Sequence, residues 1–179
     1  PQFEVSKGVG RVLVDRERDA HSQAVTACSV LAPCAAAIHA PHLPAATEIP
    51  QQQDIQHMDA WRKYIAAEQQ NPAHFKDERA VSQRCCNAYH KFALQYPKCP
   101  LVWYEASQFI FNAADALKQN GDIEGHDTVE ARGMQLLEQA QTLMPGVLLL
   151  VFPLADRHEI KGAIEQCCEV YDKCLELDG

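Results

Sequence analysis

The sequence predicts an all-α fold, an α-solenoid of antiparallel helix pairs preceded by a Pro/Ala-rich linker. Three observations predict it. Beyond Gln56, apolar residues recur at three- and four-residue steps almost without a break, the period of a helix with one buried face. No segment alternates β-branched and polar residues as a half-buried strand would. The same bulky start also occurs twice, with Trp61 opening "WRKYIAAE" and Trp103 opening "WYEASQFI".

The elements follow in order. Residues 1–20, with "FEVSKGVGRVLVDRERD", are too short and too Gly-interrupted to fold alone, and read as the end of a preceding helical repeat block. Residues 21–57 read as a linker. Pro33, Pro41, Pro44 and Pro50 fall among Ala and Thr there, and each removes a donor and disfavours helix just before it. Pro33 interrupts "AVTACSVLAPCAAAIHA", which takes no assigned structure.

The first helix presents Met58, Trp61, Tyr64 and Ile65 and stops at Asn71-Pro72. The second presents Val81, Cys85, Ala88, Tyr89, Phe92 and Ala93 and ends in "QYPKCP". Pro100 there suits the first position of a third helix, with face Val102, Trp103, Ala106, Phe109, Ile110 and Ala113. Asn120-Gly121 supplies a left-handed cap. A fourth helix opens at "HDTVE", with Asp127 and Glu130 as a capping box. It carries Met134, Leu137, Ala140 and Leu143 to a stop at Pro145-Gly146. Two more helices, "LLLVFPLADRHE" and "GAIEQCCEVYDKCLEL", meet near Gly162, and Pro153 kinks the first or marks a later start.

Overlaid, these pairs form a repeat. The first helices align Trp61, Tyr64, Ile65 and Glu68 with Trp103, Ala106, Ser107 and Ile110, then with Val151, Leu154, Ala155 and His158. The second helices place Tyr89, Leu137 and Tyr171 at mid-length. One hairpin cannot bury both of its faces, so such units stack. Residues 58–179 hold about three: 58–97, 100–145 and 147–177.

The first unit resembles the half-a-TPR (HAT) motif of RNA-processing proteins through Trp61, Tyr64 and Glu68, with Arg84, Tyr89 and Pro97 on and after its second helix. The buried position of Glu68 calls for a polar neighbour that the sequence does not identify. The order of "QHMDAWRKYIAAEQQNP", "WYEASQF", "NGD", "ADRHE" and "EVYDKCL" after a Pro-rich linker is similar to the large HAT subunit of cleavage stimulation factor, the suppressor-of-forked-like family of pre-mRNA 3′-end processing scaffolds. That resemblance implies a non-enzymatic nuclear scaffold without cofactors. Its partners would be protein subunits of the cleavage and polyadenylation machinery, with RNA reached only through them. A homodimer would form through regions beyond these repeats. The stretch 20–46 departs from the family in being longer and richer in Ala. The rival readings are a HAT/TPR-like scaffold of the spliceosome or of ribosome biogenesis, and a small Cys/His metalloprotein or hydrolase.

Composition constrains the chemistry. The net charge is −8, from 16 Lys+Arg against 24 Asp+Glu, without a basic run to grip phosphates. No charged segment followed by an apolar run opens the sequence, so no secretory leader is expected. The run "VLLLVF" is too short to cross a bilayer, and no membrane association is expected. Among eight Cys, the adjacent pairs Cys85–Cys86 and Cys167–Cys168 are poorly placed to bridge, which points to thiols in a reducing compartment. Cys28, Cys34, His39 and His42 are the only set in ligand-like order, but no close Cys pair anchors them, and they read as linker rather than zinc site. Cys86 and His90 lie four apart on one helix face, as a nucleophile and base would, but nothing orients the base and core packing explains them better. Trp61 and Trp103 could stack on RNA bases, but their apolar helical setting favours burial.

Overall fold

The computed structural model describes residues 2–39 and 49–177. Seven helices fill these residues: α1 (Gln2–Ile38), α2 (Gln52–Gln69), α3 (Glu78–Gln95), α4 (Pro100–Gln119), α5 (Ile123–Leu143), α6 (Leu148–Ile160) and α7 (Ile164–Leu177). No strand occurs among the described residues. The all-α expectation holds, and α2/α3, α4/α5 and α6/α7 are the three hairpins. Each helix packs on its chain neighbours, the backbones of α4 and α6 and of α3 and α5 also approach, and α2 reaches α4 through side chains. Helices at opposite ends do not meet, so the array is open, as a solenoid requires. One continuous apolar core runs through it from Ile38 to Cys174.

The connections repeat as faithfully as the helices. After α2, α4 and α6 the chain turns through a left-handed residue: Asn71 (φ 51°), Gly121 (φ 82°) and Gly162 (φ 71°). After α4, Gly121 N–H donates to Lys118 O and Asp122 N–H to Leu117 O; after α6, Gly162 N–H donates to Glu159 O and Ala163 N–H to His158 O. These are Schellman closures. The α2 turn keeps the Asn71 N–H to Glu68 O bond, while Pro72 has no N–H for the second. The turns from α3 to α4 and from α5 to α6 also match: buried Tyr96 and Met144 take the C-cap at φ −123°, ψ 64° and φ −139°, ψ 70°.

Four expectations need correction. The linker expected over 21–57 is helical as far as Ile38, with Pro33 inside α1. Ala-rich sequence propagates helix well, and one lost backbone bond does not end a helix that long. Residues 40–48, with Pro41, His42 and Pro44, lie outside the described residues. Second, α2 starts at Gln52 rather than Met58, because Asp54 accepts the Gln51 N–H at 2.9 Å and closes the N-terminus. Third, α5 starts at Ile123. Its cap is Asp122, whose carboxylate takes the Gly125 N–H at 2.9 Å; Asp127 and Glu130 lie inside the helix. Fourth, Arg11–Ile38 is long and apolar enough, by length and composition alone, to cross a bilayer, which attention to "VLLLVF" passed over. Of its side chains, Ala27 and Ile38 are buried.

Pro153 sits within α6 without ending it. It forfeits the bond to Leu149 O, and Leu149 is exposed, so water can serve that carbonyl.

Candidate functional site

The motif residues of the first unit converge on a buried carboxylate. Glu68 is 4% exposed and accepts three hydrogen bonds: from Arg84 Nε at 2.9 Å, from Arg84 Nη2 at 2.7 Å and from Tyr64 Oη at 2.7 Å. These are the neighbours that the sequence left unidentified. Burial pushes the Glu68 carboxyl up, but the Arg84 fork and the Tyr64 hydroxyl outweigh it, and the group sits below its ordinary range. Burial first, and the hydrogen bond to Glu68 second, push the Tyr64 phenol up to about 12. Tyr64, Glu68 and Arg84 thus lock α2 to α3. Above them Trp61 stacks on Phe92 at 5.8 Å and meets the edge of Tyr64 at 6.2 Å.

The other motif positions sort into wedges and surface. Tyr89 stacks on Phe109 at 4.6 Å, joining the first hairpin to the second. Trp103 and Leu137 are fully buried. The indole N–H groups of Trp61 and Trp103 are both buried without a hydrogen-bond acceptor, so each ring is held by packing and does not present its polar edge to a ligand. Pro97 is exposed in the turn after α3. Tyr171 is not buried as a wedge would be: it is exposed, with the ring of Phe152 6.3 Å away. Cys167, Val170 and Cys174 form the buried face of α7 instead. No described helix lies beyond α7 for Tyr171 to wedge against.

Where the second unit has Ile110 in place of Glu68, a buried carboxylate appears elsewhere. Glu130 on α5 is 5% exposed and meets Lys161 at 3.0 Å, His126 at 3.6 Å and Arg157 at 3.9 Å. It ties α5 to the last residues of α6 and the turn after it. Charged pairs also bridge successive units at one repeat spacing. Arg62 forks Glu105 at 2.9–3.1 Å, Arg157 forks Asp115 at 3.1–3.3 Å, and Arg79 binds Asp122. Sequence reading missed these pairs. Their signal was opposite charges 42 or 43 positions apart, the spacing that separates Trp61 from Trp103. His57 was missed too; it bridges Tyr96 Oη at 2.7 Å and Ile38 O at 3.1 Å, fastening the end of α1 to the first hairpin.

The candidate reactive sets do not assemble. Cys28 and Cys34 lie on α1, with Cys28 exposed and Cys34 half-buried. Six residues of helix separate them by roughly 9 Å along the axis, and His39 is exposed at the helix end. His42 lies outside the described residues. Cys86 is buried, and that burial pushes its thiol up to about 12, while His90 lies exposed beside it. A thiol so raised is a poor nucleophile.

The arrangement turns Trp61, Tyr89 and Trp103 inward and ties its hairpins together with ion pairs. A family model described as suppressor of forked protein matches residues 3–178. The chain is similar to the mRNA 3′-end-processing protein RNA14 of Debaryomyces hansenii, 28% identical over 118 residues, 66% of this chain and 14% of that protein. Protein suppressor of forked of Drosophila melanogaster is 29% identical over 80 residues, 45% of this chain and 10% of that protein. The mRNA 3′-end-processing protein of Aspergillus fumigatus is 28% identical over 131 residues, 68% of this chain and 11% of that protein. The chain spans about a seventh or less of the length of these relatives. With the family matched across nearly all of its residues and its stacked hairpins carrying the motif, this chain belongs to the suppressor of forked family.

Proposed function

We propose that this chain is a stretch of a nuclear, non-catalytic scaffold for pre-mRNA 3′-end cleavage and polyadenylation, holding partner subunits on a HAT-repeat array. The observation that carries the reading is the family match over residues 3–178, together with relatives named for mRNA 3′-end processing. Physically, a scaffold needs a fixed separation between its docking points. Glu68–Arg84 locks a hairpin, and Arg62–Glu105 and Arg157–Asp115 lock one hairpin to the next. Such stacked units hold their relative positions because each contact is with a near neighbour in sequence. RNA would be reached through partner subunits, in keeping with the net charge of −8.

The test is affinity capture with the tagged chain from nuclear extract, read by mass spectrometry against a tag-only control. Recovery of cleavage and polyadenylation subunits is the expected result. Recovery of spliceosomal or ribosome-biogenesis subunits alone would overturn the reading.

A further inference from the structure

Five arginines lie between Gln52 and Leu177, and four of them are held by carboxylates: Arg62 by Glu105, Arg79 by Asp122, Arg84 by Glu68 and Arg157 by Asp115. Arg132 on α5 is the exception. Its one hydrogen bond, at 3.4 Å, goes to the amide oxygen of Asn87 on α3. In a chain with eight more carboxylates than Lys and Arg combined, a half-buried guanidinium left facing an amide stands out.

Arg132 borders a groove of about 200 Å³ between α3 and α5. Cys86, Ile110 and Leu136 are buried and form an apolar floor. Asn87, His90, Gln135 and Gln139 form the rim with Arg132, and no carboxylate lines it. Each rim amide carries both a donor and an acceptor, which is what the unpaired N–H and C=O groups of an extended backbone require. The floor takes a small aliphatic side chain. A single guanidinium beside an imidazole, with both indoles buried, offers neither the row of cations nor the stacking faces that a strand of RNA uses.

We infer that the α3–α5 groove docks an extended acidic peptide segment of a partner protein, seating a small aliphatic side chain on the floor and a carboxylate on Arg132. This goes beyond the scaffold reading and stands apart from it, since it concerns the chemistry of one groove and not the complex in which it serves.

The test uses the full 179-residue chain and fluorescence anisotropy with three fluorescent probes. One is an acidic peptide of about ten residues, long enough to cross a groove between two helices, with a central valine. Another is the same peptide with its acids replaced by glutamine, and the third is an oligouridine. The acidic peptide is expected to bind, the glutamine version to bind at least about fivefold more weakly, and added salt to narrow that gap. Arg132→Gln should weaken acidic-peptide binding by a similar factor. Asn87→Asp supplies Arg132 with an internal carboxylate and should weaken it too, with thermal stability unchanged or raised. Retention of fold in that variant separates loss of the site from loss of structure. Equal binding of the acidic and glutamine peptides, no peptide binding at millimolar concentration, or Arg132-dependent binding of oligouridine alone would overturn the inference.

Discussion

Replacing Glu68 by Gln removes one charge and keeps the shape, so it isolates the buried clamp of the first hairpin. The carboxylate accepts the two-pronged Arg84 fork and the Tyr64 hydroxyl. An amide offers one acceptor oxygen and turns two donors toward groups that are themselves donors. Charge-assisted bonds net about 1.5–3 kcal/mol each. Arg84 is 43% exposed, so water screens its share and rehydrates it once released. Taking the lower end for the fork and about 1 kcal/mol for Tyr64 gives a loss of about 2–3 kcal/mol at neutral pH. At roughly 3 °C per kcal/mol for a chain of this size, Tm falls by about 6–9 °C.

The pH dependence follows from the direction of the shift. The folded Glu68 carboxyl lies below its ordinary range, so its contribution is fully present above about pH 4.3, the unfolded value, and is lost as pH falls through the folded value. Urea denaturation by circular dichroism, run on wild type and Glu68→Gln at neutral pH and at successive pH values below about 4.3, should show a gap that narrows as the pH falls. A neutral-pH loss under about 0.5 kcal/mol, the scatter of surface substitutions, would refute the clamp. So would a gap undiminished in acid.

Two further outcomes test the sorting of the motif residues and thiols. Trp103→Ala should cost about 3–5 kcal/mol, as a fully buried aromatic does, whereas exposed Tyr171→Ala should cost under about 1 kcal/mol; urea melts of both variants make the comparison. Iodoacetamide at pH 8 should alkylate exposed Cys28 and Cys168 in the folded chain and spare Cys85 and Cys86, whose burial raises them to about 11 and about 12. At about pH 8 the thiolate is then only about one molecule in a thousand for Cys85 and about one in ten thousand for Cys86. Peptide mapping before and after denaturation reads the difference.

The clamp and the groove differ in how legible they were. Trp61, Tyr64, Glu68 and Arg84 stood out by spacing and by likeness to a motif, because a repeat must solve the same packing problem in each unit. Which group neutralised Glu68 was not legible, since Arg84 reaches it only when α3 folds back on α2. The cross-unit pairs Arg62–Glu105 and Arg157–Asp115 had a sequence signal in their spacing, but charges at that separation mean nothing until the hairpins stack. Tyr171 shows the converse dependence: a mid-helix aromatic wedges only where another helix covers it, and among the described residues none covers Tyr171.

Alone, the sequence determined the order of the helices from α2 to α7, where most of them stop and the existence of a repeat, though not where α2 and α5 begin, because helical period, left-handed caps and proline stops act within a few residues. It did not determine the extent of α1, where Pro33 and Ala-rich sequence pull in opposite directions. Tertiary structure decided which charged groups are buried and paired, and which arginine is left facing an amide. Those outcomes depend on distances between residues some 40 positions apart, and only the stacking of one hairpin on the next sets such distances.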